Sequence, residues 1–123
     1  AYSSSGDLAF ISGQLYLSSL TGDKLLTLDT STGVGTDIGN IGFSSVYGLA
    51  TDNNVDLYGL TGTTVLQIDP TTGAGTALVN YTGGGLGDAW GSAFRTEAVP
   101  EPATLALLGL GLVGLTLRGR RLK

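Results

Sequence analysis

The chain has 123 residues, of which 21 are Gly and only 13% are charged, and it contains no Cys, His or Met. That balance suits short strands joined by tight turns, and it removes disulfides, thiol nucleophiles, imidazole metal ligands and the usual general base. The formal charge of −4 divides unevenly: residues 1–98 hold nine acids against Lys24 and Arg95, a net −7, whereas residues 99–123 hold Glu101 against four bases, a net +3.

An acidic body without a basic stripe repels a phosphate backbone, so no nucleic-acid partner is expected. Because Met is lacking, Ala1 is not expected to be a translated start, and upstream sequence is anticipated. Residues 1–94 are read as one repeat region. Its units fall at about 6–45 and 46–86, with the start of a third at 87–94.

Each unit reads as four strand-length segments bounded by Gly, Asn, Asp or Ser: Leu8 to Ile11, Gln14 to Ser18, Lys24 to Leu28 and Gly35 to Gly39, then Val46 to Thr51, Asp56 to Leu60, Thr64 to Ile68 and Gly75 to Val79. Laying Leu20 to Asn40 over Leu60 to Asn80 matches ten of 21 positions, among them Gly22, Leu26, Asp29, Gly33, Gly35 and Asn40. Upstream, Leu15-Tyr16 falls against Leu57-Tyr58 and Gly6-Asp7-Leu8-Ala9 against Tyr47-Gly48-Leu49-Ala50. A further copy begins at Ala89-Trp90-Gly91-Ser92-Ala93-Phe94.

Four antiparallel strands every ~40 residues is the arithmetic of a β-propeller blade, one sheet burying its faces against its neighbours. The fold class expected is therefore all-β, with antiparallel four-stranded propeller-like blades, about two of them, followed by a single C-terminal transmembrane helix. Two blades do not close a ring, which takes about four to eight. The body is thus expected to be a piece of a larger propeller, a part of an assembly, or an open two-sheet unit. In the turns Asp29 to Gly33 and Asp69 to Gly73, Asp caps the turn amides and Gly takes the left-handed position. The second of these turns, with Ile68 before it, resembles turns of quinoprotein-like and other bacterial repeat propellers, without implying a quinone.

Other chemistry is sparse. Asp52-Asn53-Asn54-Val55-Asp56 offers the hard oxygens that Ca²⁺ prefers, but it lacks the Gly and terminal Glu of an EF-hand and reads as a hairpin tip. Trp90, Tyr2, Tyr16, Tyr47, Tyr58 and Tyr81 are candidates for a sugar-stacking surface. Tyr16 and Tyr58 recur at one place in the repeat, and packing between sheets is their expected use. Every Asp has a turn or strand-edge explanation, so no catalytic residue, metal site or cofactor is expected.

After the polar linker 95–98, the tail 99–123 changes character. Val99-Pro100-Glu101-Pro102 is stiff, residues 103–117 are an uncharged apolar stretch of 15, and Arg118, Arg120, Arg121 and Lys123 end the chain. Pro102 suits the first turn of a helix, and Glu101 lies at the positive end of its dipole. Fifteen residues reach about 22 Å, short of the ~30 Å hydrocarbon core. Apolar residues nevertheless run all round this helix, and the flanking bases can snorkel and hold the C-terminus in the cytoplasm. Leu105, Leu108, Leu112 and Leu115 are the expected anchor; Arg118, Arg120 and Arg121 are the expected stop-transfer charges.

The order Pro-Glu-Pro, apolar helix, basic end resembles the PEP-CTERM sorting signal, over about a fifth of the chain. The resemblance implies a route in a Gram-negative bacterium: export, retention in the inner membrane by the tail, then processing near Pro100-Glu101-Pro102 by an exosortase. It implies surface or extracellular localisation and an association with exopolysaccharide or biofilm matrix. The expectation is a non-enzymatic, surface-sorted repeat protein whose partners are the exosortase, the inner membrane and exopolysaccharide. The alternatives are the C-terminal piece of a propeller enzyme with its active residues upstream, and a carbohydrate-binding propeller.

Overall fold

A computed structural model describes residues 1–93. Eight strands build two antiparallel four-stranded sheets. The first has β1 (Ser4–Ile11), β2 (Gln14–Ser19), β3 (Lys24–Leu28) and β4 (Gly35–Asn40) in chain order; the second has β5 (Val46–Ala50), β6 (Leu57–Thr61), β7 (Thr64–Ile68) and β8 (Gly75–Asn80), also in chain order. All connections within a sheet are hairpins, the simplest consequence of turn signals every few residues.

β3 and β7 have the bounds read from sequence, and β2, β4 and β8 each run one residue further. β1 differs more, starting at Ser4 instead of Leu8. Ser4 pairs with Ser19 beyond an irregularity that ends at Leu8, and Ser-Ser-Gly in that stretch carries no apolar alternation to announce a strand. β6 begins at Leu57, because the Asp56 side chain is tied into the preceding loop by Asn53 and Gln67.

Pairing fixes which residues share a face. Ala9 lies opposite Tyr16 and Tyr16 opposite Thr27, while Ser18 lies opposite Leu25. Leu49 lies opposite Gly59 and Gly59 opposite Leu66, with Leu57 opposite Ile68. These two sets meet, and the core between the sheets is Ala9, Ile11, Leu25, Ile41, Val46, Leu49, Leu57, Leu66 and Ile68, flanked by Tyr16, Ile38 and Phe43. Each fully buried Leu or Ile contributes roughly 1.5–3 kcal/mol.

Polar links register the two sheets. The buried Ser18 hydroxyl donates to the Val46 carbonyl at 2.7 Å, and the Gly75 N–H donates to the Ile41 carbonyl at 2.9 Å. Gly39 in β4 lies against the backbone of Thr72 and Gly73, an approach that a β-carbon would block.

Candidate functional site

The sorting residues named from sequence, Pro100, Glu101, Pro102, the anchor leucines and the three arginines, lie outside the described residues, as do Phe94 and the apolar stretch 103–117. Among the described residues no helix is long and apolar enough to cross a membrane.

Candidate chemistry in the body therefore rests on three surface features. The first is the pair of Asp turns. Asp29 Oδ1 accepts from the Ser31 hydroxyl at 2.6 Å and from the Ser31 and Thr32 N–H groups at 2.8 and 2.9 Å. The Ser31 hydroxyl bond, followed by these backbone bonds, holds the Asp29 pKa down to about 2. Asp69 repeats the arrangement with Thr71 and Thr72 at 2.7 and 3.3 Å, and its pKa is lowered chiefly by the Thr71 N–H. The Gly33 and Gly73 N–H groups close both turns on the Asp carbonyls, each Gly at positive φ. These carboxylates are occupied with folding the turn.

The second feature is the loop 52–56, where the side-chain oxygens of Asn53, Asn54 and Asp56 already hold hydrogen bonds within the body. Asn53 Oδ1 accepts from the Val55 and Asp56 N–H groups, and its amide donates to Asp56 Oδ2 at 2.6 Å. Asn54, at φ 61°, accepts the Ser12 N–H at 2.8 Å on its side-chain oxygen and the Ser12 hydroxyl on its carbonyl. This loop is thus a tether between the β5–β6 and β1–β2 hairpins. Among the described residues no group of three or more His, Cys, Asp or Glu is placed to hold a metal ion.

The third feature is aromatic. Trp90 is 70% exposed and leans on Tyr47, with ring centroids 5.0 Å apart and planes tilted by 42°. The pair edges a cleft of about 300 Å³ with Ser44, Ser45, Thr61 and Asp88. The other aromatics go elsewhere. Tyr16 packs against the core, the Tyr81 hydroxyl donates to the Gly62 carbonyl, and the Tyr2 hydroxyl reaches Asp37 at 3.4 Å. Tyr58 has a raised pKa through desolvation and then through the negative charges of Asp52 and Asp56.

Sequence reading did not pick out Asp7, whose carboxylate accepts the Ser92 N–H at 3.0 Å. It named Trp90 and Tyr47 among six candidate stacking aromatics but did not join these two as a pair, although the repeat carried a signal: Tyr47-Gly48 and Trp90-Gly91 occupy the same place in successive units.

Residues 98–121 match the PEP-CTERM protein-sorting motif. No curated protein and no solved structure matches the chain. The motif is that of exported proteins processed by an exosortase, and it directs membrane transit followed by secretion or surface localisation.

Proposed function

We propose that this chain is a non-enzymatic, surface-sorted repeat protein of the bacterial cell envelope or its extracellular matrix, with the two sheets acting as propeller-like blades. The observation that carries the sorting part is the match of residues 98–121 to the PEP-CTERM motif. Support for the structural role comes from the body, where the Asp29 and Asp69 carboxylates hold their own turns and the side-chain oxygens of Asn53, Asn54 and Asp56 are engaged within the body. Pro100, Glu101 and Pro102 are the recognised motif in this reading, residues 103–117 the transient inner-membrane anchor, and Arg118, Arg120 and Arg121 the charges that stop transfer.

The test is expression of the gene in its host with a tag ahead of Val99, with and without the exosortase, alongside a Pro100→Ala/Glu101→Ala/Pro102→Ala triple variant. Loss of the tail mass and arrival at the surface, dependent on both the enzyme and the motif, is the expected result. An uncut protein retained in the inner membrane under every condition overturns it.

One observation favours a second reading, in which the body binds matrix polysaccharide. An exposed Trp beside a tilted Tyr, with Asp88 and Ser44 at the same cleft, has the make-up of a sugar-stacking site. Trp90 is the single tryptophan, so titration with oligosaccharides followed by its fluorescence reports on this cleft alone. A signal unchanged by every neutral and acidic oligosaccharide tried removes this reading.

A further inference from the structure

The outer face of the first sheet, turned away from the second, is apolar and shielded. Leu8 lies opposite Leu17 and Leu17 opposite Leu26, while Phe10 lies opposite Leu15 and Leu15 opposite Leu28. At the β1 margin Leu8 and Phe10 are 51% and 52% exposed, yet in the middle of the face Leu17 and Leu26 are only 9% and 1% exposed. Neither of the two belongs to the core between the sheets.

The described residues do not account for this shielding. Among them no strand packs on the face. Beyond Leu26, β4 offers Asp37 opposite it and Gly35 two residues earlier, and the Asp37 carboxylate is turned to Lys24 at 2.9 Å. The Tyr2 hydroxyl also reaches Asp37, but Tyr2 is itself half exposed, and one ring is too small to seal two leucines on neighbouring strands. A mid-sheet leucine at 1% exposure has atoms packed on its outward side, because burial is contact.

We propose that the apolar stretch 103–117 of the same chain lies on this face and covers Leu17 and Leu26 whenever no bilayer takes it up. The burial is that of a single copy, which leaves residues 94–123 as the source of the cover. Within 94–123 the one long uncharged run is 103–117. An all-apolar stretch and a leucine face are each unfavourable in water, and one contact removes both from it. The point of departure fits as well. The Ser92 N–H sits on the carboxylate of Asp7, the residue before Leu8, so the chain leaves the described body beside the β1 edge of this sheet. Residues 94–102 can span up to ~30 Å, whereas four strands at their usual spacing are about 14 Å across. This contact goes beyond the sorting reading and does not rest on it: the same stretch serves as anchor in the membrane and as cover outside it.

The test exploits the lack of cysteine in the chain. Leu8→Cys, at the half-exposed margin, is paired in turn with Leu108→Cys and Leu110→Cys, two positions that fall on opposite sides of any helix through that stretch. Val79→Cys, half exposed on β8 of the second sheet, is paired with the same two as the control. The full chains are oxidised in dilute, vesicle-free buffer. Far-UV circular dichroism confirms folding, and Phe10→Cys repeats the first arm should Leu8→Cys prevent it. Non-reducing electrophoresis and intact mass separate disulfides within a chain from disulfides between chains. The expected result is an intramolecular disulfide from the first-sheet site to at least one tail site, forming at least ~tenfold faster than from Val79→Cys. Equal rates from the two sheets overturn the proposal, as does the lack of any disulfide. Disulfide-linked dimers overturn it too, because a second copy then covers the face. No exosortase enters this experiment, so its failure leaves the sorting reading standing, and an uncut tail in the host leaves this contact standing.

Discussion

The hydroxyl of Ser18 and the carbonyl of Val46 meet across the two sheets at 2.7 Å, with Ser18 wholly buried. The bond satisfies a main-chain acceptor at the edge of the shared core. In Ser18→Ala that carbonyl loses its partner in a place water does not reach, at a cost of about 1–3 kcal/mol. Chemical denaturation is expected to show a lower midpoint with an unchanged slope, since the surface exposed on unfolding stays the same. An unchanged midpoint means that the carbonyl finds another donor.

The approach of β4 to the β7–β8 turn allows a sharper test of how the sheets are spaced. A β-carbon on Gly39 runs into the Thr72 carbonyl, which is backbone and has little freedom to move aside. Gly39→Ala is expected to destabilise the fold by roughly 1–3 kcal/mol, in the range of overpacking. Gly87→Ala is the control: its φ is not positive, nothing lies within 4 Å of its β-carbon position, and its effect is expected to stay within about 0.5 kcal/mol. Equal effects from the two substitutions mean that the sheets do not pack in this register.

Much of this architecture is legible in the sequence for a physical reason. The turn chemistry of Asp29 to Gly33 and Asp69 to Gly73 is local, so a few residues suffice to specify it, and the strands between turns inherit their bounds. What escapes is non-local. The Ser4–Ser19 pairing beyond the β1 irregularity, the Ser12–Asn54 tether and the Asp7–Ser92 contact join residues whose types are ordinary turn or surface types. Nothing in Asp7 alone distinguishes a carboxylate facing solvent from one that anchors a segment 85 residues away.

Acid should weaken the protein in a defined window. The folded pKa of Asp29 is depressed to about 2 from 3.8, and Asp69 is shifted in the same direction. A carboxylate depressed in the folded state binds fewer protons there than in the unfolded chain. Its stabilising contribution is therefore complete above the unfolded value and is lost as pH falls from about 4 towards 2. Urea midpoints at pH 7, 4, 3 and 2 are expected to fall steeply only over the last steps, and less steeply in Asp29→Ala. Identical acid slopes in the two proteins dissociate the turn from the acid response.

The contact between Asp7 and Ser92 is expected to control how firmly residues 89–93 lie on the body. The segment has no strand pairing, and the Ser92 hydroxyl is buried without a partner, so the Asp7 carboxylate on the Ser92 N–H carries a large share of its attachment. Removing it in Asp7→Ala frees the N–H and loosens the neighbouring Trp90 from Tyr47. Because Trp90 is the single tryptophan, its fluorescence reads this segment directly. Asp7→Ala is expected to lower the steady-state anisotropy of Trp90 and to raise its quenching by acrylamide, without a large change in the global unfolding midpoint. Asp7→Asn keeps a carbonyl acceptor of the same size and is expected to restore most of the difference. If both variants leave the Trp90 signal untouched, the Tyr47 ring and the Gly62 carbonyl hold the segment, and the ion-assisted bond is incidental. If both loosen it equally, the charge of Asp7 matters and not its reach.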